Sequence, residues 1–383
     1  MKARVAGSAA KVHSTKKLAK QLRGSEGAVD YIELIRTRIP FPLMQEHCAL
    51  EGLPTAQGWD KLQGKLEEES RTSKKRAAEI SRSLFGIYKK TIPLGERAMK
   101  LYKIEANAVA PMRKYMSALV PEESPFAKTY PLPLSEAALK EVESGLHLCE
   151  VTSGDGYVAL VFCGKRLVEE RIDRTRDEIS EEAIERFGWD EYDEFVFIKR
   201  HYVQSYEVVR LDTVKGLVDI RIEQHIGIDT GTSLHQLQSK VNELLAAKFG
   251  ANYQLVSSVN LFPAIKKLYE ATKEGVVAEL GFTVDTGSAK HEKMRNRQDL
   301  RKELFHTGGK KAVGGVITPY RIAVRWIESD QRVPEEALLP GSIRQLGSGV
   351  PFLDHAVLSG AVTEARMQVL ADRIIKHLPA DED

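Results

Sequence analysis

The feature that most constrains this chain is a change of apolar period around residues 119–134. The stretch LVPEESPFAKTYPLPL carries four prolines. Proline fixes φ and lacks the donor that a helix interior or a central strand needs. Before this stretch apolar residues recur every three or four positions; beyond it they alternate. The pattern predicts an α+β fold. A basic helical domain is expected over 1–120, a Pro-rich linker over 121–134, and an α+β domain over 135–383. That last part reads as a mainly antiparallel sheet with C-terminal helices, and a subdivision near 229 stays open. A length of 383 residues also favours two or more domains.

On the helical side, Val29–Arg38 reads as a helix stopped by Pro40 and Pro42. LMQEHCALEGL and QGWDKLQGKLEEE follow, with Trp59, Leu62 and Leu66 at helical spacing. The pair resembles a helix-turn-helix in outline, although an ordinary helical hairpin is the preferred reading. One helix is expected over 71–92, with Ala77, Ile80, Leu84 and Ile87 forming its apolar stripe. GERAMKLYKIEANAVA reads as another helix. Beyond the prolines, GLHLCEVTSGDGYVALVFCGKRLVEERI, EFVFIKRHYVQSYEVVRLD and GLVDIRIEQHI predict an antiparallel meander from about 145 to 228. Within it SEEAIERFG is a short helix capped by Ser180 and stopped by Gly188. SLHQLQSKVNELLAAKFG, LFPAIKKLYEATKEG and TEARMQVLADRIIKHL read as helices, and KHEKMRNRQDLRKELFH as a basic one. VVAELGFTV, AVGGVI and YRIAVRWI read as strands.

The formal net charge of +2 conceals an uneven distribution. Residues 1–120 hold 23 Lys and Arg against 12 Asp and Glu, while 121–383 hold 33 against 42. Such asymmetry implies an acidic partner for the first part, either nucleic acid or an acidic protein surface. The charge is densest from 71 to 114, with 12 basic and three acidic residues. Arg71, Lys75, Arg82 and Lys89 fall on the outer side of the expected helix, with Lys74 and Lys90 beside them. A second basic run, Lys290–Lys311, has eight basic and three acidic residues and reads mainly as a solvated face. Phe85, Tyr88 and Phe305, near these runs, are expected in the core.

No run of about 18 apolar residues suggests a membrane span. The N-terminal MKARVAGSAAKVHSTKKLAKQ is basic without an apolar core, so it is not expected to be a secretory signal, and 1–28 is expected to be flexible. Cys48, Cys149 and Cys163 lie far apart and form no CxxC, which points to a reducing cytoplasm and away from a metal site.

Two segments repeat Asp-Thr-Gly: IGIDTGTS at Ile226–Ser233 and FTVDTGSA at Phe282–Ala289. Ile228–Ser233 and Val284–Ala289 resemble the two loops of pepsin-like aspartic proteases. That resemblance implies that Asp229 and Asp285 share a proton and activate water. Each loop of such a protease lies in its own β-rich lobe, whereas here the two aspartates lie 56 positions apart with helical patterns between them. Ile226–Thr232 also resembles the first phosphate loop of actin-like and sugar-kinase ATPases. In those a strand follows; here a helix does, and 154 residues remain after Asp229. Asp and Gly support turns and Ser or Thr caps a following helix, so two turns are the favoured reading. Arg301-Lys-Glu-Leu-Phe-His306 resembles the Arg-x4-His of HEPN-type ribonucleases, but the spacing arises readily among ten histidines. These two residues are expected on a solvated helix end.

The sequence therefore predicts a cytoplasmic nucleic-acid-associated binding or regulatory protein. Arg71, Lys74, Lys75, Arg82, Lys89 and Lys90 would contact DNA or RNA phosphates, with no cofactor or metal expected. Two alternatives remain beside it: an adaptor or assembly protein that binds an acidic partner, and a hydrolase such as a nuclease. No residue set marks a catalytic centre, so enzyme activity stays open.

Overall fold

The computed structural model describes residues 28–224, 229–250, 253–327 and 332–379. Residues 1–27, all but the last of the 1–28 segment expected to be flexible, lie outside the described residues.

The described residues begin with four helices: α1 (Ala28–Arg36), α2 (Phe41–Leu50), α3 (Trp59–Thr72) and α4 (Lys74–Leu94). They are followed by β1 (Arg97–Lys103), α5 (Ala106–Ala118), α6 (Pro125–Thr129) and α7 (Glu136–Glu141). A meander succeeds them: β2 (His147–Gly154), β3 (Tyr157–Thr175), α8 (Glu181–Phe187), β4 (Glu194–Asp212) and β5 (Leu217–Glu223). Next come α9 (Thr230–Phe249), α10 (Phe262–Glu270), β6 (Val276–Thr283), β7 (Ala289–Lys293) and α11 (Leu304–Ala312). The described chain closes with β8 (Thr318–Trp326), β9 (Glu335–Leu339), α12 (Ile343–Leu346), β10 (His355–Ser359) and α13 (Glu364–Ile375).

The protein is α+β, with a helical N-terminal part preceding the sheet. The ten strands of the described residues form one antiparallel sheet in the order β2-β3-β4-β5-β1-β10-β9-β8-β6-β7. The expected meander is β2 to β5. β1 sits at the centre, paired with β5 on one side and β10 on the other. Its segment was expected to be helical. A central strand is covered on both faces, so Ala98, Met99, Leu101 and Tyr102 are all buried and no alternation betrays it. The stretch 121–134 packs closely on both neighbours. Phe126 is fully buried, and the Pro131 carbonyl accepts hydrogen bonds from Tyr88 (3.1 Å) and Tyr206 (3.0 Å).

Three apolar clusters hold the layers together. α5 and α9 cover one face of β3, β4, β5 and β1 through Met112, Met116, Leu234, Leu237 and Val241. On the other face, α1 to α4 pack with Phe126, Val161, Cys163 and Tyr206. The β6–β10 half packs with α10 and α13. Among the described residues no helix is long and apolar enough to cross a membrane.

Two further segments differ from expectation. Of KHEKMRNRQDLRKELFH, the first part is strand β7, a short turn spans Leu300–Lys302, and helix begins only at Leu304. AVGGVI, expected as a strand, is the last residue of α11 followed by turn and coil, with Gly314 and Gly315 both at positive φ. One feature projects from the sheet. β2 pairs with β3 only as far as Cys163, and β5 pairs with β4 only from Val208. Beyond those points β3 and β4 pair with each other out to Thr175 and Glu194. They form a two-stranded ribbon roughly 40 Å long at about 3.3 Å per residue, tipped by α8.

Candidate nucleic-acid interface

α4 is amphipathic as its sequence requires. Ile80, Leu84, Ile87, Tyr88 and Ile92 are buried, and Phe85 is half-buried with its ring 5.7 Å from Tyr31 in an edge-on contact. The helix starts at Lys74, not Arg71. Ser73 is extended (φ −163°, ψ 153°) and its hydroxyl caps the helix by accepting from the Arg76 amide at 3.1 Å. Arg71 consequently lies in the last turn of α3.

The six expected basic residues divide into two groups. Lys74, Lys75 and Arg82 are exposed, and no carboxylate of the described residues pairs with them. Arg71 is exposed and reaches Glu67 only at 3.7 Å. Lys89 and Lys90 are engaged. Lys89 pairs with Glu150, whose other oxygen accepts from Tyr130 at 2.7 Å. Lys90 pairs with Glu51. The open cations are thus at the N-terminal half of α4 and the adjoining end of α3. α2 and α3 are joined by residues 51–58, longer than the tight turn of a helix-turn-helix.

Asp229 and Asp285 do not meet. Asp229 caps α9, accepting from the Gly231 amide (3.0 Å) and the Thr232 hydroxyl (2.6 Å), and these bonds hold its carboxyl below the usual range. Asp285 sits in the β6–β7 turn, closed by the Gly287 amide donating to the Val284 carbonyl at 2.8 Å, with Gly287 at φ +80°. β5 and β6 are five strand positions apart, about 24 Å at 4.8 Å per step. They run antiparallel, so the two turns leave opposite ends of the sheet. Ile226–Ile228, the rest of the phosphate-loop resemblance, lies outside the described residues.

Arg301 and His306 also have separate tasks, and neither is solvated. Arg301 is bound by Asp299 (2.8 Å) and donates to the carbonyls of Ala271 (2.7 Å) and Gly275 (2.6 Å) just beyond α10. His306 is buried between the Tyr269 hydroxyl (2.9 Å) and Glu292 (2.5 Å), with Lys310 donating to the same Tyr269 oxygen at 3.1 Å. This chain of groups anchors the inner side of α11 to β7 and α10. Phe305, expected in the core, is 79% exposed.

One array was not anticipated. On the face of β4, β5 and β1 that meets α13, Arg210, Asp212, Asp219, Arg221, Glu223 and Arg97 are all buried. Arg221 binds Asp219 (2.6 and 3.2 Å) and Glu364 of α13 (2.9 and 2.6 Å). Glu223 pairs with Arg38 and, at 3.7 Å, with Arg97. Burial pulls Arg97 down to about 10 although Glu223 opposes it. The signal lay in the sequence: Asp219, Arg221 and Glu223 alternate in sign at period two on an otherwise apolar strand. On the opposite face Arg166, at the ribbon's base, binds buried Glu207 and the Ser233 hydroxyl (2.6 Å) of α9. Among the described residues no three His, Cys, Asp or Glu side chains cluster as metal ligands, and the three cysteines are buried and free. No protein-family model matches the sequence, and no curated protein matches it significantly.

Proposed function

We propose that this chain is a nucleic-acid-associated binding protein whose contact surface is the exposed basic end of α3 and α4: Arg71, Lys74, Lys75 and Arg82. The supporting observation is that Lys74, Lys75 and Arg82 are left without a carboxylate partner among the described residues, on a helix whose opposite face is locked into a core. Unpaired cations on a rigid element neutralise phosphates and release condensed counterions without first breaking an ion pair. Such contacts position a backbone and carry little sequence information. Lys89 and Lys90, already paired with Glu150 and Glu51, contribute less.

Mobility-shift titrations with short DNA and RNA, repeated over a salt series, test this. Reversing Lys74, Lys75 and Arg82 to glutamate should weaken binding to every sequence alike. It should also flatten the log–log salt slope by about 2.7, at roughly 0.9 per phosphate on duplex DNA. Lys89→Ala with Lys90→Ala should change the slope by less than about one. Absence of nucleic-acid binding by the wild type at low salt, or equal effects of both variants, overturns the proposal. Loss of a protein partner in the triple variant would instead favour the adaptor reading.

A further inference from the structure

The ribbon ends in an apolar and acidic surface. At its tip Phe187 and Tyr192 are exposed, as are Val196 and Ile198 along β4, at 57%, 59%, 50% and 59%. The tip is ordered: α8 is capped by Ser180 and closed by Gly188 in the left-handed region, and Trp189 stacks on Phe187 (4.9 Å) and meets Phe195 (5.3 Å) at a tilt. Around these rings Glu182, Glu185, Glu191, Asp193 and Glu194 are exposed without an ion-pair partner among the described residues, and they outnumber the one exposed cation of α8, Arg186, which lies over the Phe187 ring at 5.5 Å. A two-stranded ribbon has no second layer of its own to cover such side chains.

The reverse combination lies at the other end of the sheet. His306 fixes the inner side of α11, which leaves Leu304 (86%) and Phe305 (79%) pointing outward, with Val316 (56%) beyond the helix. Exposed Arg295, Lys302 and Lys311 flank them without a carboxylate partner among the described residues. Gly308 and Gly309 keep the outer side of this helix open, since a side chain added there would meet nothing within 4 Å.

The two surfaces match in character, apolar against apolar and acid against base. β3 and β4 hold the second and third positions of the sheet, whereas β6, beside α11, holds the ninth. Six strand steps, about 29 Å, separate β4 from β6 across the sheet. The ribbon runs along the strands, at right angles to that line. A tip therefore meets α11 of another molecule more readily than its own.

We propose that the ribbon tip of one copy of this chain docks on the α11 surface of a second copy, and that the contact is made reciprocally in a two-fold dimer. Reciprocity follows because a two-fold axis that brings one tip to one α11 brings the other pair together too, and closes the assembly. The opposed charges fix orientation and reject tip-to-tip pairing, where acid would face acid.

The test is a charge exchange on the full chain, read by sedimentation velocity over a concentration series. One variant carries Glu182→Lys, Glu185→Lys and Glu191→Lys; the other carries Arg295→Glu, Lys302→Glu and Lys311→Glu. All six residues are exposed, so both variants should fold, which circular dichroism checks. The wild type should sediment as a dimer of the 42.8 kDa chain. Each variant alone should dimerise about 100-fold more weakly, because like charges then face each other at both contacts. An equimolar mixture should recover the dimer, since the basic tip then meets the acidic α11 and the acidic tip meets the basic one. A monomeric wild type, variants that still dimerise, or a mixture that stays monomeric overturns the proposal. None of the six positions belongs to the α3–α4 surface, so nucleic-acid binding can be measured independently on the same variants.

Discussion

Replacing Arg221 by methionine should be one of the most damaging single changes to the described core. The guanidinium is fully buried and makes four hydrogen bonds, two to Asp219 and two to Glu364. Methionine fills much of the volume but strands both carboxylates. They are not stranded equally. Glu364 is 34% exposed, keeps Gln368 at 2.9 Å, and can recruit water. Asp219 is 5% exposed and retains only distant partners, Arg210 at 3.9 Å and Gln368 at 3.4 Å. Most of the cost should therefore fall on Asp219. Removing one partner of a buried pair costs about 3–5 kcal/mol. With an unfolding entropy of about 2.1 cal/mol/K per residue, a cooperative transition of this chain would move by roughly 5 °C. Urea titration and calorimetry read both quantities. The double variant Arg221→Met/Asp219→Leu should recover about half of the loss or more, because the stranded charge has gone; the interaction term is expected at about 2 kcal/mol. A single variant within about 1 kcal/mol of wild type, or a double variant no better than the single, would refute the assignment of the cost to Asp219.

Two further outcomes follow from local chemistry. His47 is held down to about 4, first by burial and then by the nearby Lys90 charge, with Glu51 opposing. Its folded value lies below its unfolded one, so the unfolded chain binds the proton first and stability should fall as pH drops from about 6.5 to about 4. His47→Leu should flatten that part of a stability-versus-pH curve by up to about 3 kcal/mol, and an unchanged curve would count against the neutral histidine. Asp229→Asn should cost only a few tenths of a kcal/mol, because asparagine also caps, whereas Asp229→Ala should cost about 1 kcal/mol; thermal melts that show the two to be equal would contradict the capping role.

The parts that were legible in the sequence are those in which short-range chemistry decides the structure. Ser180 and Gly188 bound α8 because a hydroxyl cap and a left-handed glycine act within one turn. The apolar stripe of α4 and the meander from β2 to β5 obey the same logic of periodicity. β1 was misread because a strand covered on both faces has no period of two to display, and its partners β5 and β10 come more than a hundred residues later. The run from Lys290 was misread for a related reason. Its Lys and Arg residues suit a solvated helix, but pairing with β6 and the bond from Lys293 to Glu279 (2.6 Å) make its first part a strand. Asp219, Arg221 and Glu223 form the polar row of an alternating strand, and in a half-buried strand such a row is expected to face water; here α13 and the N-terminal helices cover it, so the charges are paired inside.

The basic surface illustrates how far a charge run can be taken. Sequence spacing placed Lys75, Arg82 and Lys89 on one line and treated them alike. The fold separates them, because Lys89 meets Glu150 from 61 residues away and Lys90 meets Glu51 from 39. Spacing along a helix says which cations share a face, but only the tertiary structure says which of them are already neutralised. A phosphate backbone would have to displace Glu150 and Glu51 to use Lys89 and Lys90, losing in those ion pairs much of what it gained. At Lys74, Lys75 and Arg82 no such exchange is required. The N-terminal half of α4 therefore has the stronger claim to an anionic ligand, and comparing variants within this one helix is a sharper test than comparing the helix with the rest of the chain.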